Sequence, residues 1–164
     1  MKKFIKRFFE KFFGVKIIYK KRLIYPHDMD KDFFVLFDRC KDATMTSTER
    51  MYSLYQTMFY LTENRIEGDI VECGVWKGGS SMMCAETLVK IGDTSRKFWL
   101  YDTYEGMTEP TEKDVTYDSQ SGEKEWKKNQ KDDHNEWCYS PVEEVQQNMK
   151  GTKYPMDKMS FVQG

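Results

Sequence analysis

Glu72, Gly74, Gly78, Gly79, Ser80 and Asp102 are the residues of this sequence whose types and spacing could do chemistry. Glu72 closes the short apolar run Ile70-Val71, two residues before the first of three glycines that fall within six positions. A helix-compatible segment from Ser81 to Ile91 follows at once. Strand, glycine turn and helix, in that order, form the first unit of a nucleotide-type α/β site. Glycine lets the backbone turn sharply and lets a ligand approach with no Cβ in the way. The following helix offers unpaired N–H groups and a partial positive charge to anything anionic.

The spacing narrows the ligand. From Gly74 it reads G-x-x-x-G-G, not the G-x-G-x-x-G of a dinucleotide site, and Lys77 precedes the glycine pair where a P-loop lysine would follow it. A carboxylate at Glu72 repels a pyrophosphate and suits a cationic amino group. A ligand with an amino-acid part and a nucleoside part is therefore expected, and S-adenosylmethionine fits better than NAD. Taken alone, the glycine run also reads as a turn serving only helix–strand packing. A second acid strengthens the ligand reading. The β-prone run Lys97-Phe98-Trp99-Leu100-Tyr101 stops at Asp102, 30 residues after Glu72. That is beyond the roughly 20-residue interval of the dinucleotide fingerprint. An acid at the end of a second strand can accept hydrogen bonds from both ribose hydroxyls.

Longer words carry a resemblance. Thr44-Met45-Thr46-Ser47 with Glu49-Arg50 precedes Gly68-Asp69-Ile70-Val71-Glu72-Cys73-Gly74-Val75-Trp76-Lys77-Gly78-Gly79-Ser80. Then come Gly92-Asp93-Thr94, Tyr101-Asp102-Thr103-Tyr104-Glu105-Gly106-Met107, Trp137 with Ser140-Pro141, and Phe161-Val162-Gln163-Gly164. Over roughly residues 26 to 164 the chain resembles the macrocin O-methyltransferase family. The resemblance implies a Rossmann-like fold and an S-adenosylmethionine- and Mg²⁺-dependent enzyme that methylates hydroxyls of sugars, glycans or natural products. It implies a cofactor pocket lined by Met45, Glu72, Gly74, Gly79, Ser80, Asp102 and Thr103, with Gly78 in the same turn. Tyr104 and Glu105 would border the acceptor. In that family the metal-binding aspartates and the general base follow the third strand, after the position of Gly164. No catalytic or metal residue can be carried over, and the sequence reads as a fragment or a truncated product, with a fragment favoured, inactive by itself.

Length is that of one domain, and 39% hydrophobic with 32% charged residues suits a folded chain rather than a disordered one. The net charge of −1 hides an asymmetry: residues 1–22 hold nine Lys or Arg against one Glu, a net +8, which leaves −9 for residues 23–164. An acidic main domain is a poor nucleic-acid binder. Cys40, Cys73, Cys84 and Cys138 show no metal-binding or disulfide pattern and read as reduced, mostly buried thiols of a cytoplasmic protein. No apolar run approaches the roughly 20 residues of a membrane span.

These elements must position the chemistry. Residues 1–24 form a basic amphipathic segment, with phenylalanines at helical spacing and Gly14 as a stop; residues 1–14 could lie on the inner face of an anionic membrane, pack as a dimer arm or cover the core. Residues 25–164 form the partial methyltransferase domain. Within it, Tyr25 to Asp30 is a connector with His27 in a solvated turn, and Lys31 to Cys40 a helix. Thr46 caps a further helix to about Glu63, with Glu49 completing a capping box. Helix 81–91 ends at Gly92. Residues 103–139 are a long polar loop whose aromatics argue for a lid over the acceptor, with His134 exposed. Ser140-Pro141 starts a helix to about Lys150, and Met159 to Val162 is the third strand. A half-sheet of order 3-2-1 leaves one edge of the first strand bare, so the chain is expected to be marginally stable and to form homo-oligomers. A nicotinamide-dependent oxidoreductase half-domain and a membrane-associated binding module are the two alternative functions.

Overall fold

Three short β-prone runs form one parallel sheet in the computed structural model, which describes Pro26 and residues 28–115 and 121–164. The basic segment 1–24, His27 and Tyr117 lie outside these described residues. Strands β1 (Ile70–Cys73), β2 (Phe98–Asp102) and β3 (Met159–Gln163) pair in the order β1-β2-β3, the half-sheet expected from the sequence. Register sets Glu72 opposite Leu100, and Asp102 opposite Gln163. Helices α1 (Lys31–Cys40), α2 (Thr48–Glu63), α3 (Gly79–Ile91), α4 (Gly122–Asn129) and α5 (Val142–Gly151) complete the described elements, with two short 3-10 turns.

Alternation along β2 decides the faces. Phe98 and Leu100 are fully buried under the helices, whereas Tyr101, on the opposite face, is 40% exposed, as is Val71 beside it at 61%. The covered face packs against α3, whose residues 81 to 88 are all buried. The ion pairs Arg39–Glu86 and Lys90–Asp32 lace α1 onto α3. At the other edge of β1 the ladder stops. Ile70 donates its N–H to Lys97 and Gly74 donates to Tyr101, so the intervening backbone groups of Val71 and Cys73 face the open side. Among the described residues no strand pairs there.

Helix starts differ from expectation by one or two residues. Ser47, not Thr46, caps α2 and accepts the Arg50 N–H at 3.4 Å, while Thr44 Oγ1 takes the Thr46 N–H in a local turn just before it. Pro141, not Ser140, is the cap of α5; Ser140 Oγ instead donates to Glu144. Helix α3 opens at Gly79, two residues before the expected Ser81, and closes at Gly92 in the left-handed conformation expected of a glycine stop.

The segment 103–139 is more structured than a polar loop. It contains α4, and its ends are tied together at Asn135, a buried residue whose N–H donates to Glu105 and whose side-chain amide donates to Trp126 and Gln130. Gly106 sits so close beneath this tie that a Cβ there would collide with the Asn135 carbonyl. Trp126 Nε1 donates to the Met107 carbonyl at 2.8 Å. His134 is half-buried rather than exposed, since its ring stacks on Tyr139 at 4.1 Å and its Nδ1 meets Asp133.

Candidate cofactor site

The carboxyl ends of β1 and β2 bring Glu72, the glycine turn and Asp102 together, as strand ends in a parallel sheet do. Glu72 is largely enclosed. Burial pushes its carboxyl above the ordinary value of 4.5, opposed by hydrogen bonds from the Ser81 and Ser80 side chains and the Ser81 N–H, with the nearby Asp102 charge adding to the rise. The Ser81 hydroxyl donates directly to Glu72 Oε2. The first turn of α3 thus reaches back to the acid that ends β1.

Asp102 closes the glycine turn. Its Oδ2 accepts the N–H groups of Val75 at 2.7 Å and Trp76 at 2.9 Å, and its Oδ1 accepts the Tyr104 N–H at 3.0 Å. A longer contact at 3.4 Å comes from Thr103 Oγ1, which also donates to the Gly106 carbonyl at 2.8 Å. Trp76 adopts φ 49, a left-handed conformation that a non-glycine residue keeps only when its surroundings over-determine it.

The glycines of the turn do different work. Gly74, at φ +83, has nothing within 4 Å of where a Cβ would stand, so its side of the turn is an open cradle. Gly79 is the opposite case: a Cβ would lie 2.5 Å from the Ala43 carbonyl oxygen and 2.6 Å from Thr44 Cβ. Gly79 therefore admits the segment before α2 onto the amino end of α3; Met45, next to Thr44 in that segment, is 65% exposed. Gly78 faces Val145 of α5, and Ser80 is half-buried next to Glu72.

One expected acceptor contact is not where the sequence suggested. Tyr104 is 5% exposed, and its hydroxyl donates to the Leu100 carbonyl at 2.8 Å. A φ of 55 at Tyr104 reverses the chain and folds the ring into the apolar layer, so its side chain does not border the mouth. Glu105 is exposed beside it, bonded to Gln163 Nε2 at 2.9 Å. Sequence reasoning also missed the links from α5. Lys77 Nζ pairs with Glu144 at 2.8 Å, and Asn148 Nδ2 donates to the Lys77 carbonyl at 2.9 Å. These span 67 and 71 residues, and no local pattern announces them.

A parallel half-sheet with a glycine turn at β1 and acids ending β1 and β2 defines one half of a Rossmann-like nucleotide-type domain. The family model described as macrocin-O-methyltransferase (TylF) matches residues 37–164, and the chain belongs to that family. It is 32% identical over 121 residues to an 8-demethyl-8-(2,3-dimethoxy-alpha-L-rhamnosyl)-tetracenomycin-C 4'-O-methyltransferase of Streptomyces olivaceus, covering 74% of this chain and 43% of that protein. Over the same shares it is 25% identical to a demethyldecarbamoylnovobiocin O-methyltransferase of Streptomyces niveus. The solved structure of the O-methyltransferase NovP superposes with a TM-score of 0.59 at 23% identity, over 74% of this chain and 47% of that one, a likeness of fold. The chain spans less than half the length of these relatives.

Proposed function

We propose that this chain builds the cofactor half of an S-adenosylmethionine-dependent O-methyltransferase whose acceptor is a hydroxyl of a sugar, glycan or natural product. One observation carries the reading: a desolvated carboxylate, Glu72, lies at the root of an open glycine turn, where it suits a cationic amino group and opposes a pyrophosphate. The donor set fits S-adenosylmethionine, whose sulfonium supplies the transferable methyl when bound. Glu72 holds the amino group, while Gly74, Gly78, Gly79 and Ser80 shape the turn around it. Met45 closes one side.

Asp102 serves first by holding the turn. Three backbone N–H groups fill three of its lone-pair positions, and a ribose hydroxyl reaches it at the fourth, beside Thr103 Oγ1, whose one proton serves the Gly106 carbonyl. Glu105 borders the acceptor. The segment 103–139 acts as the lid, excluding water from the reacting hydroxyl. Mg²⁺ belongs to the reading only through the family resemblance. Among the described residues no group of three or more His, Cys, Asp or Glu could hold a metal. No helix among the described residues is long and apolar enough to cross a membrane. A cytoplasmic location, peripheral membrane contact through residues 1–14 and homo-oligomerisation through the β1 edge complete the proposal.

Calorimetric titration of S-adenosylhomocysteine into the purified chain tests the cofactor reading, with NADH as the comparison ligand. Saturable binding of the first and none of the second is expected. A folded sample that binds NADH and ignores S-adenosylhomocysteine would overturn it.

A further inference from the structure

The glycine turn is held from outside its own strand–turn–helix unit. From β2, Asp102 takes the N–H groups of Val75 and Trp76. From α5, Asn148 takes the next carbonyl, that of Lys77, and Glu144 Oε1 takes the Lys77 ammonium. The second oxygen of Glu144 accepts Ser140 Oγ at 3.1 Å, at the end of the segment 103–139. Consecutive residues of the turn, 75 to 77, are therefore gripped from two elements that follow it in the chain.

The peptide between Lys77 and Gly78 is the weak point of such a turn. Gly78 has φ 85, and glycine permits rotation of the preceding peptide at little steric cost. Rotation would turn the Lys77 carbonyl away from α5 and reshape the turn that leads into α3. Two bonds oppose it: Asn148 Nδ2 on the Lys77 carbonyl, and the Gly78 N–H donated to the Val75 carbonyl at 2.9 Å. We propose that Asn148 is a positioning residue that fixes the Lys77–Gly78 peptide in the cofactor-competent orientation, and that Glu144 supports it through Lys77 and joins the turn to Ser140. The inference rests on the cofactor reading above. It makes cofactor affinity depend on helix residues that reach no cofactor.

Asn148→Asp tests this, since it keeps the shape, removes the donor and sets oxygen against oxygen. S-adenosylhomocysteine affinity is expected to fall by about five- to tenfold, the worth of one net hydrogen bond. Amide exchange at Val75, Trp76 and Gly78 should quicken, while the β2 and β3 amides stay protected in a chain that remains folded. Asn148→Gln, which retains the donor, should recover most of the affinity. Wild-type affinity and unchanged turn exchange in Asn148→Asp would overturn the proposal. Should the wild-type chain not bind S-adenosylhomocysteine, the cofactor reading fails by itself, and the exchange rates still decide whether Asn148 holds the turn. Should Asn148→Asp not fold, Asn148→Ala, which only removes the donor, is read on the same exchange rates: faster exchange at Gly78 supports the proposal, and wild-type rates overturn it.

Discussion

Asp102 Oδ2 accepts the backbone N–H of Trp76 at 2.9 Å, so the acid that ends β2 closes the turn that follows β1. Its bond to Val75 is made on the same oxygen. Asp102→Asn keeps one acceptor and turns an amide N–H toward the turn. The turn should lose about 1–3 kcal/mol of local stability, the cost of unpairing bonds to a charged acceptor. Hydrogen exchange at Val75 and Trp76 checks this; S-adenosylhomocysteine binding should weaken at least tenfold alongside.

Glu72 makes a pH-dependent prediction with a definite sign. Burial holds its folded-state value above the ordinary 4.5, so just above that pH the folded chain keeps a proton that the unfolded chain has released. The stabilisation is complete below 4.5 and is lost as pH rises through the folded-state value. Glu72→Gln cannot lose it. The stability difference between wild type and Glu72→Gln, from urea melts at pH 4 to 8, should therefore move against the wild type as pH rises. Cofactor binding should show the opposite preference. An ammonium beside Glu72 favours its charged form, so wild-type binding should strengthen with pH and release a proton, seen as a buffer-dependent enthalpy.

Two glycines of the turn should respond differently to alanine. Gly74→Ala meets nothing within 4 Å and carries only the left-handed strain, about 1–2 kcal/mol. Gly79→Ala drives a methyl into the backbone at Ala43, and overpacking of that kind costs about 1–3 kcal/mol or more. Urea unfolding should rank Gly79→Ala as the less stable, with the segment around Met45 the first to exchange.

The cysteines sort by environment, not only by being reduced. Cys40 and Cys84 are buried, and burial pushes both thiols up to about 12. Cys138 is half-buried and its thiol is also raised by burial, whereas Cys73 is exposed on the open edge of β1. Ellman's reagent at pH 8 should modify Cys73 first in the native chain, and Cys40 and Cys84 only on unfolding. Fast reaction of all four would mean that the helical layer over the sheet is not formed.

The bare side of β1 should make the chain associate. Val71, 61% exposed, lies on that edge strand, where the backbone groups of Val71 and Cys73 meet no strand among the described residues. Sedimentation equilibrium should show mass rising with concentration, and Val71→Lys, a charge on an edge strand, should reduce it. A sharp, reversible melt of a wild-type monomer would speak against this.

The sequence by itself determined the order of strand, turn and helix, the helix at Lys31–Cys40, the glycine stop at Gly92 and the acids at two strand ends. These follow from short-range physics: apolar period, left-handed glycine, and the polarity change that ends a strand. It also marked Glu72 as an acid at the carboxyl end of the first strand, whereas its enclosure beside Ser80 and Ser81 was decided by the packed structure. Only the tertiary structure decided what Asp102 and Tyr104 do. Asp102 spends its lone pairs on N–H groups 26 and 27 residues away, and Tyr104 turns inward to bond its own strand at Leu100. The grip of Asn148 and Glu144 on the turn, and of Asn135 on Gly106, was equally hidden. Such bonds arise where separate elements happen to dock, and a local window contains only one partner of each.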